Sequence, residues 1–585
     1  MSGKRLQSQF GKLYQQFEGK RAETTLQEIS DVLCCTRRNA RMVLGKMEEQ
    51  GWLTWTPSIG RGKLSLLAFT RSESQLRNDR VRELILDGKL EDALTSLNND
   101  VSQLARLVEE LLGATTLDGK QVIRLPYYRS FPTLNPTKPL RRSECHLVRQ
   151  IFNGLVKLNE MTEELEGDLA HSWEMISPQR WRFYLRPAVR FHDGKLLDSS
   201  DVIYTFEGLR RGSLLRHIDR IICVAPNTID FELNTDDFHF PVLLTSVQAL
   251  IIPHTSAGSS TFSQYPVGTG PYKVSHNDEQ KLILEANDTY FGYRALTDRV
   301  EIWALADEKM RHVRANPALM LEPQNAATVK QDSTQPRTQR MTMDEGCAFL
   351  LVNKQWGIGK DKRWSDYFRS RLSSSAVVRE AMIKGTGQYR IANAYGLLPG
   401  WMHSGECEEV ESPAPTYVTM AVQSDNPFHR VIADAVVQLL KNDAVEVELV
   451  ELDYPDFMTG KHEKKIDFWL SGMSLGYKRS ESLLAWLYDQ GFVERALTTP
   501  ESQTLSKRIE WWRGKADIEF PAMEIGAELV EQGCLIPLCH TWLGLIPDSH
   551  LQNLSVNGVG WFDFQNVWYK PNIPKPPQES ASSAK

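Results

Sequence analysis

No stretch of the 585 residues approaches the roughly 18 uninterrupted apolar positions that a membrane-crossing helix needs; the run from Val242 to Pro253 is broken by Thr245, Ser246 and Gln248. Lys4 and Arg5 near the N-terminus have no apolar segment behind them, so a secretory signal is not expected and a cytoplasmic protein without membrane contact is. The eight cysteines (Cys34, Cys35, Cys145, Cys223, Cys347, Cys407, Cys534, Cys539) form no CxxC pair and no Cys/His spacing suited to zinc. Free thiols, no metal and no cofactor are expected. The adjacent Cys34 and Cys35 read as small buried thiols in a turn in preference to a redox switch. Catalytic signatures are missing too. Gly268-Thr269-Gly270 lacks the lysine and the serine or threonine of a phosphate-binding loop and precedes a strand, and His192-Asp193 has no recognisable serine or cysteine nucleophile beside it. An enzyme is not expected.

What is present is enough chain for several cores: 41% hydrophobic and 24% charged residues describe an ordinary globular protein, too long for one domain. The net charge of −6 is unevenly spread. Residues 1–80 hold 14 Lys and Arg against 8 Asp and Glu, which leaves −12 on the remainder. A basic head on an acidic body suits a nucleic-acid-binding segment joined to a sensor.

Leu6, Phe10, Leu13, Tyr14 and Phe17 recur at helical spacing and predict a first helix ending near Gly19. Thr25 with Glu28 suggests a capping box for a short second helix carrying Leu26, Ile29, Val32 and Leu33. Cys34-Cys35 then form a turn, and Thr36 caps a third helix in which Ala40, Val43, Leu44 and Met47 face inward. Arg37, Arg38, Asn39, Arg41 and Lys46 are left outward, with side chains that suit base edges and phosphates in a major groove. Gln50-Gly51 stops this helix, and strands around Trp52–Trp55 and Leu64–Phe69 flank a glycine-bounded tip that presents Arg61 and Lys63. The pattern predicts a winged helix-turn-helix whose DNA-binding residues are Thr36, Arg37, Arg38, Asn39, Arg41, Lys46, Arg61 and Lys63. Residues 74–113 read as a helical connector that could pack on the winged helix, join two modules or supply a dimer surface.

From Gln121 the pattern becomes α/β: a strand Val122–Leu125, a helix around Glu144–Phe152, a strand Trp181–Leu185, a hairpin corner at Asp193-Gly194 and a helix Ser200–Leu209. The run Trp181-Arg182-Phe183-Tyr184-Leu185-Arg186 through Val189-Arg190-Phe191-His192-Asp193-Gly194, with Asp201-Val202, resembles a signature of the extracellular dipeptide and oligopeptide solute-binding proteins. Pro266-Val267-Gly268-Thr269-Gly270-Pro271-Tyr272, followed by Asn287–Tyr290, resembles a second. Phe349–Asn353 is similar to that family's crossing strand, and Ile536-Pro537-Leu538 with Gly560–Phe564 to its return. Strands at Tyr417–Val422 and Val445–Leu452 around a helix at Pro427–Leu440 fill the weaker middle.

Both modules together, with Pro126-Tyr127-Tyr128-Arg129 and Arg142-Ser143-Glu144, resemble the SgrR-type transcriptional regulators. The resemblance implies activation of a small regulatory RNA promoter, autorepression, and a phosphorylated sugar or related metabolite as inducer. The expected fold is multidomain: an N-terminal α+β winged helix-turn-helix followed by a two-lobed α/β module of the type II periplasmic-binding-protein kind. Expected boundaries are 1–72 for the winged helix, 73–115 for the connector, 116–305 and 306–528 for the lobes, 529–570 for the return to the first lobe, and 571–585 for a disordered tail.

Polar and aromatic residues beside the first body strand, Tyr127, Tyr128, Arg129 and Asn135 with Arg142, are the expected ligand contacts, joined by Trp401 and Trp542. Arg129 and Arg142 could hold phosphate bidentately, or pair with acids such as Glu144. A solute closing the lobes would bias DNA binding or contact with RNA polymerase. The alternative is a cytosolic oligopeptide- or solute-binding protein whose winged helix docks a protein partner.

Overall fold

The computed structural model describes residues 3–58, 63–159, 162–210, 214–305, 319–320, 340–386, 389–402, 414–475, 479–545, 551–554, 557 and 561–570. Two compact units emerge, one ending at Leu112 and one beginning at Gly113.

The first unit opens with α1 (Gly3–Gln16), which ends where Gly19 takes a φ of +63° and its amide reaches the Tyr14 carbonyl at 2.8 Å. A side chain there would strike the Tyr14 ring. The chain continues through β1 (Ala22–Thr24), α2 (Leu26–Val32), α3 (Arg37–Glu49), β2 (Leu53–Thr56) and β3 (Ser65–Phe69). The strands form a small antiparallel sheet in the order β1-β3-β2, so β1 adds an edge that short sequence periodicity had not revealed. The Thr25 hydroxyl caps α2 by accepting from the Glu28 amide, but the Glu28 carboxylate accepts from Thr24 Oγ1 instead of closing the reciprocal half of a box. Phe10, Leu13, Ile29, Leu33, Ala40, Leu44, Met47, Leu53 and Leu67 make one core. In the turn, Cys34 lies in the left-handed region (φ +48°) and is exposed, so the sharp bend turns one of the two expected buried thiols outward, while Cys35 is half-buried against the core.

The helical segment that follows packs on this core. α4 (Glu73–Leu86) starts at a full Ser72/Gln75 capping box and sends Leu76 into the winged-helix core. α5 (Leu90–Ser96) and α6 (Val101–Leu111) complete it, with Arg82 of α4 bound to Glu110 of α6 at 2.7 Å.

The second unit begins at the hairpin of β4 (Gly113–Leu117) and β5 (Lys120–Tyr127), so residues 113–115 belong to its sheet. After α7 (Arg142–Ile151) come β6 (Val156–Leu158), β7 (Leu165–Gly167), β8 (Ala170–Ser177), β9 (Arg180–Leu185), α8 (Ser199–Leu209), β10 (Ile218–Ala225), β11 (Thr228–Leu233) and α9 (Phe240–Leu243). β12 (Tyr272–Asn277), β13 (Lys281–Ala286) and β14 (Arg299–Ala304) then build the five-stranded sheet β12-β13-β14-β5-β4, in which β14 and β5 are parallel. A four-stranded sheet, β10-β11-β9-β8, and the antiparallel pair β6-β7 also belong to the first lobe.

The second lobe contains β15 (Leu319–Met320), β16 (Arg340–Met343), β17 (Gly346–Val352), α10 (Lys362–Arg371), α11 (Ser374–Lys384), β18 (Ile391–Ala392), β19 (Tyr417–Gln423), α12 (Pro427–Asn442), β20 (Glu446–Leu452), α13 (Tyr454–Thr459), β21 (Phe468–Ser474), α14 (Arg479–Leu487), α15 (Phe492–Ala496), α16 (Thr499–Arg513), α17 (Ala522–Glu531) and β22 (Leu535–Leu545). Its sheet runs β15-β22-β17-β21-β19-β20, with β16 and β18 also on β22. Every residue of β17 is buried, as its unbroken apolar run requires of a central strand.

The run Ile536-Pro537-Leu538, expected to mark the return to the first lobe, lies inside the second-lobe sheet, because β22 pairs antiparallel with β17. Pro537 is tolerated there at a register irregularity, where a missing donor costs least. Re-entry comes later: Trp561, Phe562, Phe564 and Val567 complete the first-lobe core around Leu125, Leu147 and Ile302. The tail 571–585 lies outside the described residues.

Candidate functional site

Two places concentrate chemistry. On the first unit, the Thr36 hydroxyl accepts from the Asn39 amide at 3.3 Å and starts α3, and burial of Ala40, Val43, Leu44 and Met47 sets the helix rotation. Arg38, Arg41 and Lys46 are consequently exposed, and among the described residues no carboxylate pairs with them. Arg37 is exposed as well, but its Nε donates to Gln27 Oε1 on α2. Asn39 is half-buried at the helix flank. Lys63 is exposed at the foot of the wing, its carbonyl held by Ser58 Oγ at 2.7 Å; Arg61 falls outside the described residues. Sequence reasoning missed Met42, 57% exposed on the outer face of α3, because a single apolar residue among basic ones carries no periodic signal.

On the second unit, the two signature motifs meet. His192 Nδ1 accepts from the Gly268 amide at 3.2 Å and its Nε2 faces the Gly270 carbonyl at 3.0 Å, so a neutral ring with the proton on Nε2 clamps the turn. Burial holds that imidazole near a pKa of about 4. A Cβ on Gly268 would stand 2.0 Å from the Ile151 carbonyl oxygen, and one on Gly270 2.5 Å from that of Gln150. Glycine is required by the end of α7, and the motif does structural duty, as its lack of phosphate-loop residues implies. Thr269 continues the network through Asn153 to the buried Asp168.

The carboxyl ends of parallel strands in an open α/β sheet are where ligands gather. Here β19, β20 and β21 run parallel, and the residues just beyond or at their ends, Asp425, Tyr454 and Ser474, face the start of α7 in the first lobe. Arg141 bonds Asp425 at 2.5 Å and lies 4.7 Å from the Tyr454 ring centroid, while the Tyr454 hydroxyl donates to the Leu140 carbonyl. Arg142 meets Asp344 at 2.5 Å, and Asp344 also accepts from Ser474 Oγ. Gln248 Nε2 donates to Asp489 at 2.9 Å across the same seam. Burial pushes the Asp489 carboxyl up to about 6, with the Gln248 bond working against the rise. None of Arg141, Asp425, Tyr454, Gln248 or Asp489 was singled out in the sequence, although Asp425 and Tyr454 directly follow strands that were.

The expected ligand residues divide. Tyr127 and Arg129 do sit at the carboxyl end of β5, but the Tyr127 hydroxyl bonds Ser143, and Arg129, 7% exposed, grips Glu144 through both terminal nitrogens at 2.5 and 2.8 Å. Arg129 therefore has both prongs of its fork occupied by Glu144 in a buried pair within the first lobe, and is not placed to hold phosphate; Arg141 and Arg142 each meet their carboxylate through one terminal nitrogen. Asn135 is consumed by a turn, accepting from the Thr137 amide. Trp401 is half-buried, its ring packed near Gly526. Trp542, half-buried, lies on β22 opposite Met343. Tyr128 is half-buried beside Tyr127, and Arg142 reaches the seam between lobes through Asp344. A groove of about 260 Å³ beside Trp356, lined also by Glu463, Arg495 and Thr499, shares none of the seam's residues. Asp198, Asp201 and His254 bring three ligand-type atoms within 4.8 Å, but the acids cap α8 and Asp201 binds His254 at 2.8 Å.

Comparison with known proteins agrees with both halves. The family described as the N-terminal domain of the sugar transport-related sRNA regulator matches residues 5–119, and bacterial extracellular solute-binding proteins, family 5, match residues 164–395. Among solved structures, a dipeptide-binding protein from Pseudoalteromonas holding Met-Leu covers 77% of this chain and all of that one at 15% identity, with a TM-score of 0.62. A peptide-bound periplasmic binding protein from Helicobacter pylori covers 77% and 98% at 18% identity and 0.63. These likenesses establish the two-lobed type II periplasmic-binding-protein fold. The HTH-type transcriptional regulator SgrR of Yersinia enterocolitica is 35% identical over 98% of this chain and 100% of its own length; that of Photorhabdus laumondii is 36% identical with the same coverage. The chain belongs to the SgrR family of HTH-type transcriptional regulators.

Proposed function

We propose that this regulator is a cytoplasmic protein whose α3 and wing hold double-stranded DNA, and whose two-lobed module takes a small metabolite, a phosphorylated sugar or related solute, at the seam between its lobes. The observation that carries the DNA half is the outer face of α3, where Arg38, Arg41 and Lys46 lack any described acidic partner on a helix whose start is capped by Thr36. The solute half rests on Arg141 and Arg142, which reach carboxylates of the second lobe. A phosphate competes with Asp425 and Asp344 for these forks, since charge-assisted bidentate bonds favour the more highly charged oxyanion. Exchange of those partners gives the open and closed arrangements different affinities for the solute, which is the condition for a population shift. The shift is read out as DNA affinity or as contact with RNA polymerase, and no bond-making step is assigned to the chain.

Calorimetric titration of the full-length protein with sugar phosphates and with short peptides, in the presence and absence of selected duplex DNA, tests this. A sugar phosphate that binds and changes DNA affinity supports it. Peptide binding without any effect on DNA would favour a plain solute-binding module instead.

A further inference from the structure

We propose that Gly45 and Met42 set how closely α3 enters the major groove of duplex DNA and which base pair its centre reads; the inference rests on the DNA-binding reading above. Each residue advances a helix by about 100°, so the buried stripe Ala40, Val43, Leu44 and Met47 fixes the opposite direction. Arg38, Met42, Gly45 and, at the C-terminal end, Glu49 lie closest to it, Arg41 and Lys46 flank it, and Arg37 and Asn39 fall to the sides. This agrees with the Arg37 bond to Gln27 and with the half-burial of Asn39.

Gly45 is the anomaly. Glycine inside a helix is less stable than alanine, and proteins keep it where another backbone must come close. A Cβ on Gly45 would meet nothing within 4 Å, so no contact inside the described chain calls for a glycine. Gly526 shows the contrast: there a Cβ would meet the Trp401 ring at 2.8 Å. Gly208 has equally open surroundings but stands next to last in α8, where the helical cost is small. The flat spot at Gly45 has Arg41 on its N-terminal side and Lys46 beside it, with Glu48, which accepts from the Trp55 amide, and Glu49 beyond it, so a polyanion approaching over the N-terminal part of the helix is the occupant its surroundings favour. Arg38 to Gly45 spans about 10 Å of helix, close to three base-pair steps. Met42, exposed at the middle of that span, offers an apolar contact to the C5-methyl of thymine. Glu49, exposed on the same side near the C-terminus, repels phosphate and limits the contact to the N-terminal part of the helix.

The test uses the full-length protein and duplexes that the wild type selects from a randomised pool. Gly45→Leu is expected to keep or increase hydrogen-exchange protection of α3 while weakening those duplexes about tenfold or more. Gly208→Leu should leave DNA affinity unchanged. Met42→Ala, put through the same selection, should lose the preference for thymine at one position. Wild-type affinity in Gly45→Leu alongside a roughly tenfold loss in Arg38→Ala would overturn the close approach while leaving the DNA face standing. Unchanged affinity in Arg38→Ala as well would remove the DNA-face reading itself. Reduced protection of α3 in Gly45→Leu would also count against the proposal, because the glycine would then serve the chain's own packing.

Discussion

At the scale of single residues, two kinds of partly buried group make opposite demands. His192 is neutral because burial lowers its pKa, and its two ring nitrogens clamp the Gly268–Gly270 turn. Gly268→Ala forces a Cβ against the Ile151 carbonyl, so it should destabilise the solute-binding unit by about 3 kcal/mol or more, read by urea denaturation. Asp489 is the reverse case, a carboxyl whose pKa burial raises from 3.8 to about 6. The folded seam keeps a proton that the unfolded chain releases above about pH 4. Stability from this group is therefore present below that pH and falls as pH rises toward 6, where the loss is complete. Asp489→Asn should remove that slope: relative to the wild type it gains stability on the order of 2–3 kcal/mol between pH 4 and 7, measured by parallel denaturation series. A flat difference across this range would mean that Asp489 titrates normally.

Among elements, α3 ranks its own basic residues. Arg38→Ala is expected to weaken specific DNA binding by about 1–3 kcal/mol, and Arg37→Ala by less, since Gln27 already holds that guanidinium on α2. Lys63→Ala at the wing should weaken specific and nonspecific duplexes alike and lower the salt slope by about one. Titrations at two salt concentrations separate the three. Much of α3 was legible beforehand, because a threonine cap followed by Ala40, Val43, Leu44 and Met47 admits one helix rotation. What periodicity could not supply is the lateral tie of Arg37, a contact between helices. β22 teaches the same lesson: Ile536-Pro537-Leu538 is recognisable as a strand, but its partner β17 is almost 200 residues away in sequence, and pairing alone assigns it to the second lobe.

At the scale of the molecule, the division at Gly113 makes a direct expectation. A fragment starting at Gly113 keeps the whole of β4 on the edge of its five-stranded sheet, whereas one starting at residue 116 strips most of that strand's pairing with β5. Both should fold, with the shorter melting several degrees lower in circular dichroism; equal melting temperatures would show that β4 contributes nothing measurable.

The winged helix could be read from the amino acids alone, because caps, glycine turns and apolar periods are local and each admits few backbone paths; for the body these gave only a mixed α/β class, and the two-lobed solute-binding fold came from the resemblance of its two motifs to a known family. The glycines of the Gly268–Gly270 motif could be named but not explained until α7 was seen to press on them. The ligand residues were the least legible. Arg129 and Arg142 are chemically identical in the sequence, and only folding gives Arg129 to Glu144 within its own lobe and Arg142 to Asp344 at the seam. Which charges neutralise each other and which remain for a partner depends on distances between segments far apart in the chain, and those distances are set by the tertiary structure.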